Sequence, residues 1–104
     1  MKPLVRRQRA DEDVAQAIAH YLGEAPNVAL RFVDELERAY THIQRYPATG
    51  SPRYAHELQL PGLRFWTLKR FPYMVFYMER TDIIDIWRVL HGHRDIPATL
   101  QIAE

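Results

Sequence analysis

Residues 63–93 read LRFWTLKRFPYMVFYMERTDIIDIWRVLHGH, and their patterning decides the fold. Aromatic and β-branched residues come in three short runs, Leu63 to Phe71, Tyr73 to Glu79 and Ile83 to His91, parted by Pro72 and by Arg80, Thr81 and Asp82. Proline cannot donate to a sheet ladder and a polar triplet suits a turn, so this pattern predicts three strands joined as a meander. In the middle run Tyr73, Val75 and Tyr77 alternate with Met74, Phe76 and Met78. Both faces of that strand are therefore apolar, which places it at the centre of a sheet.

Upstream the period changes to that of a helix. Ala29, Phe32, Val33, Leu36, Ala39, Tyr40 and Ile43 form one apolar stripe behind Pro26, and Arg31, Asp34, Glu37, Arg38 and Arg45 lie on the opposite face. An amphipathic helix over residues 26–46 follows, closed by Pro47 and by the loop residues Gly50 and Pro52. A shorter helix is predicted from Asp11 to Leu22, where Asp11, Glu12 and Asp13 complement the helix dipole and Gly23 offers a stop. Leu4 to Arg9 reads as a first strand. Two helices with a short connection form an antiparallel hairpin. The expected fold is thus α+β, in the order β-α-α-β-β-β, with an antiparallel sheet packed on the N-terminal helical hairpin. One helical layer covers one face of the sheet, so the second face of Tyr73 to Glu79 is expected to meet a partner protein.

A chain of 104 residues, 47% of them hydrophobic, is expected to form one domain over residues 1–104. Fourteen Lys and Arg stand against thirteen Asp and Glu, a net charge of +1. That balance argues against sequence-specific DNA binding by this chain, because affinity for duplexes rests on neutralising phosphates. The absence of cysteine fits a reducing cytoplasm, and no apolar run reaches the length of a membrane span. There is no GxGxxG, Walker loop, HExxH or GxSxG, so no cofactor is implied. His91 and His93 stand two apart at a strand end, too few ligands for a closed metal site. Arg53, Arg64, Lys69, Arg70, Arg88 and Arg94 make the strand half locally basic.

Three segments taken together carry a family resemblance: ERAYTHIQRYPATGSPR over residues 37–53, ELQLPGLRFWTLKRFPYMVFY over 57–77, and IWRVLHGHRDIP over 86–97. In this order they resemble the ParE branch of the RelE/ParE toxin superfamily, from about Val5 to Pro97. The resemblance implies the toxin of a type II toxin-antitoxin system, a cytoplasmic protein that inhibits DNA gyrase without catalysis and is neutralised by a ParD-like antitoxin. A RelE-like ribosome-dependent messenger RNA endoribonuclease is the alternative it leaves open, and a non-toxic protein-binding relative the second. Met74 stands where many ribonuclease relatives have a basic residue, which weakens the ribonuclease reading. Carried over by position, the family's residues are Gly50, Arg53, Leu58, Gly62, Leu63, Arg64, Tyr77, Arg88, Val89, His91, Gly92, Arg94 and Asp95. Arg64, Arg88, His91 and Arg94 are the polar members expected to serve toxicity. One face of the central strand, either Tyr73, Val75 and Tyr77 or Met74 and Phe76, is expected to meet the antitoxin.

Overall fold

The computed structural model describes residues 1–102. Strand β1 (Leu4–Arg6) leads into helices α1 (Gln8–Glu24) and α2 (Pro26–Arg45), a 3-10 turn (Pro47–Thr49) and the short helix α3 (Arg53–Glu57). Strands β2 (Leu63–Thr67), β3 (Tyr73–Glu79) and β4 (Ile84–His91) follow, and α4 (Ile96–Ile102) closes the chain. The four strands form one sheet in the order β1-β4-β3-β2. The expected α+β class, helical hairpin and meander are all present.

The stripe of α2 explains its packing, since Phe32, Leu36, Ala39 and Ile43 are all buried. Beside it α1 begins three residues before Asp11, because Ala10 is drawn completely into the core. This leaves β1 three residues long instead of the six from Leu4 to Arg9. Gly23 does not end α1, and Ala25 alone separates the helices. Its extended backbone (φ −166°, ψ 136°) lets its N–H cap α1 by donating to the Tyr21 carbonyl, while its own carbonyl accepts from Val28 and Ala29 to start α2.

Pairing within the meander is antiparallel, with Phe65 opposite Phe76 and Val75 opposite Val89. The sheet as a whole is mixed, because β1 runs parallel to β4 with Leu4 opposite Ile84 and Arg6 opposite Ile86. A parallel pair needs a long crossover, and the helical hairpin and meander between these strands supply it. A bulge interrupts β4: Phe76 pairs with Arg88 but Tyr77 pairs with Ile86, so Trp87 is the extra residue. β2 stops at Thr67 instead of Phe71, since Arg70 takes a left-handed conformation (φ 67°) and Leu68 turns into the core.

The second face of the sheet departs from expectation. It is covered by the chain itself: Leu63, Phe76, Met78, Trp87 and Leu90 pack against Ile96 and Leu100 of α4, with Tyr54, Ala55, Leu58 and Leu60 alongside. Val75 and Tyr77 lie in the other cluster, under α1 and α2. Of the residues expected to present an antitoxin-binding face, Val75, Phe76 and Tyr77 are therefore buried on one side or the other, and only Tyr73 and Met74 keep partial exposure. Two helices too short to show a clear period in the sequence account for the difference. Among the described residues no helix is long and apolar enough to cross a membrane.

Candidate functional site

The four polar residues expected to act together divide into two groups. Arg64 belongs to the frame. Its Nη1 donates to the Gly50 carbonyl at 2.7 Å, and Tyr77 Oη accepts from the Gly50 N–H while donating to the Pro47 carbonyl, both at 2.8 Å. Ser51 and Phe65 exchange backbone hydrogen bonds beside this lock. The loop after α2 is thereby fastened to β2. Burial raises the pKa of the Tyr77 phenol, which keeps it a donor. Only glycine fits at position 50, because a Cβ there would stand 2.5 Å from Tyr77 Oη and 2.8 Å from the Phe65 carbonyl oxygen.

Arg88 is also structural. It is 3% exposed, and its Nε and Nη2 donate to Asp13 Oδ2 and Oδ1 at 2.7 and 2.9 Å. Its hydrogen bonds to the Asp13 carboxylate hold the guanidinium charged, above its ordinary pKa, against the opposing effect of burial. β1 ends opposite Ile86, and beyond that point α1 serves the outer edge of β4: Asp13 Oδ2 also accepts from Val89 N–H at 3.0 Å. Asp13 thus joins α1 to β4, where the sequence suggests only an acidic first turn. Farther down the same strand, Asp85 accepts from Arg7 Nη2 at 3.0 Å, from Arg80 Nη2 at 3.2 Å and from Trp87 Nε1 at 3.1 Å. Burial pushes the Asp85 carboxyl up, but Arg7, Arg80 and Trp87 together hold it below the usual range.

His91 and Arg94 are different. Together with Tyr73, Gln16, Ala17, Val89 and the quenched Asp13, they line a small polar cleft of about 90 Å³ between α1 and the end of the β3/β4 ribbon. Gly92 N–H donates to the Pro72 carbonyl and Arg94 N–H to the His91 carbonyl, which folds the chain after β4 back toward Tyr73. The His91 ring meets Tyr73 edge-on at 5.2 Å and stacks on His93 at 4.9 Å. The backbone N–H of His93 donates to His91 Nδ1 at 3.0 Å. A neutral His91 ring therefore carries its proton on Nε2. Burial, followed by the nearby His93 and His20, lowers the His91 pKa. The Tyr73 phenol is raised by burial, against a lowering influence from Arg94.

The cleft consequently gathers hydrogen-bond donors. Arg94 pairs with no carboxylate among the described residues, and the Tyr73 hydroxyl and the Gln16 amide have no hydrogen-bond partner there. No three histidine, aspartate or glutamate side chains of the described residues converge as metal ligands. Of the cleft's residues, Tyr73, His91 and Arg94 are among those the sequence singles out, whereas Gln16 gives no signal there.

The sequence matches the family described as "ParE toxin of type II toxin-antitoxin system, parDE" over residues 4–96. Among solved structures, the chain is similar to one titled "Chromosomal ParDE TA system from P. aeruginosa", with a TM-score of 0.73 and 25% sequence identity over 88% of this chain and 96% of that one. No curated protein matches. A family match across nearly the whole chain, on a fold shared with a solved ParDE protein, makes this chain a member of the ParE toxin family of type II toxin-antitoxin systems.

Proposed function

We propose that the chain is a cytoplasmic toxin that inhibits DNA gyrase by binding it, without catalysis of its own, and that a ParD-like antitoxin neutralises it. The family match over residues 4–96 carries this reading. Three further observations support it. A net charge of +1 suits a protein target better than a polyanion. Met74, where ribonuclease relatives carry a basic group, sits half-buried beside the cluster under α4. The cleft, about 90 Å³, is lined by one cation besides the histidine, Arg94, where a nucleic-acid backbone calls for several.

The stacked pair of His91 and His93 near Arg94 is the one feature that favours the ribonuclease alternative, since an imidazole and a cation could serve attack at a phosphate. One experiment separates the readings. Added to purified gyrase, the chain should block supercoiling and raise gyrase-linked DNA cleavage, and replacing both His91 and His93 with glutamine should weaken that effect at most, because neither transfers a proton. Cleavage of ribosome-bound messenger RNA that disappears on changing either histidine, with gyrase unaffected, would overturn the proposal.

A further inference from the structure

We propose that the cleft between α1 and the β3/β4 end is a receptor for one carboxylate, the side chain of an aspartate or glutamate of a protein partner. Three residues that carry donors line it from separate elements: Tyr73 at the start of β3, His91 at the end of β4 and Arg94 just beyond. Gln16 on α1 adds a fourth. The cleft's own carboxylate is turned to other donors: Asp13 accepts from two Arg88 N–H groups and the Val89 N–H. With that ion pair balanced, Arg94 leaves one net positive charge for the cleft. The His93 N–H on His91 Nδ1 fixes the tautomer that donates from Nε2.

One cation, neutral donors beside it and a volume of about 90 Å³ match a small monoanion. A charge-assisted hydrogen bond to such a group is about twice as strong as a neutral one. A nucleic-acid phosphate fits less well, because its neighbours along the backbone need further cations and the chain carries a net charge of only +1. The titratable and charged groups about His91 are His93 beyond β4, His20 and Asp13 on α1, Tyr73 on β3 and Arg94. An anion seated among them favours the imidazolium and must raise the His91 titration midpoint.

This assignment rests on the reading that the chain acts on proteins. It is tested on the intact isolated chain by NMR, at constant ionic strength, using the α-amide of N-acetylglutamate, its glutamine counterpart and inorganic phosphate as probes. The glutamate probe should give saturable shifts centred on Gln16, Tyr73, His91 and Arg94, and should raise the pH at which the His91 ring titrates. Arg94→Gln should weaken its binding at least tenfold; Arg94 is exposed and its side chain holds no other element, so the variant should keep the native spectrum elsewhere. Absence of saturable shifts, equal shifts with the glutamine probe, or saturation by phosphate alone would each overturn the assignment. Because no gyrase is present, a wrong target with a responsive cleft and a right target with an unresponsive one give different results.

Discussion

Replacing Asp13 with alanine strands a buried cation. The carboxylate accepts three hydrogen bonds, from Arg88 Nε, Arg88 Nη2 and Val89 N–H, and Arg88 is 3% exposed. Water cannot take over these bonds without opening the seam between α1 and β4. Removing one partner of a buried ion pair costs about 3–5 kcal/mol, against a total of roughly 5–15 kcal/mol for a domain of this kind. At about 4 °C per kcal/mol near this size, Asp13→Ala should lower Tm by about 12–20 °C. Asp13→Asn, which keeps an acceptor for Val89, should lose less. Arg88 Nη1 is buried without a partner among the described residues, so the pair is imperfectly satisfied. The double change Asp13→Leu with Arg88→Met should accordingly recover most of the loss, because two apolar groups leave nothing charged to bury. Chemical and thermal unfolding of these proteins, with the Asp13→Leu and Arg88→Met single variants alongside, checks this. A cost below about 1 kcal/mol for Asp13→Ala, or a double variant as unstable as the sum of its singles, would refute the reasoning.

Gly50→Ala should destabilise by about 1–3 kcal/mol through overpacking, as the new methyl meets a backbone carbonyl as well as the Tyr77 hydroxyl; urea unfolding measures it. Leu100→Ala should cost about 2–5 kcal/mol and loosen α4 from the sheet, detected as a lower Tm with increased binding of a hydrophobic dye. The lowered pKa of Asp85 means that the folded state holds its proton less tightly than the unfolded chain, so this residue adds stability above the ordinary carboxylate pKa of about 4 and loses it as the pH falls through the lower folded value. Asp85→Asn should flatten that part of an acid-unfolding profile. For His91 the folded pKa also lies below the unfolded value, so stability should fall as the pH drops below about 6.5, and His91→Gln should remove that share of the decline.

Elements with a long, regular period were legible in the sequence. The seven-residue stripe of α2 and the alternation in β3 leave little choice of structure. The direction of β1 was not legible, since three residues carry no record of a partner eighty positions away. Five-residue α3 and seven-residue α4 make too few turns to stand out, and missing them left a sheet face seemingly open. Charge type likewise failed to separate roles. Arg88 and Arg94 look alike in the sequence, yet one is buried on Asp13, 75 positions distant, and the other is exposed beside the cleft. Asp13 was misread for the same reason: its position in the first turn of a helix is local information, and its partner is not.

The parallel pairing of β1 with β4 bears on when the protein can exist at all. Leu4 to Arg6 are made about eighty residues before their strand partner, Ile84 to Ile86. Closing so long a loop must precede any gain from the contact. At about 5–20 residues per second, the N-terminal strand waits several seconds for its neighbour. Neither the β1 edge nor the Asp13 seam can form on a chain that stops before β4, so such a product lacks the strand that joins β1 to β3. The sheet therefore closes only once β4 has been made, and a partner that is already folded has that interval in its favour.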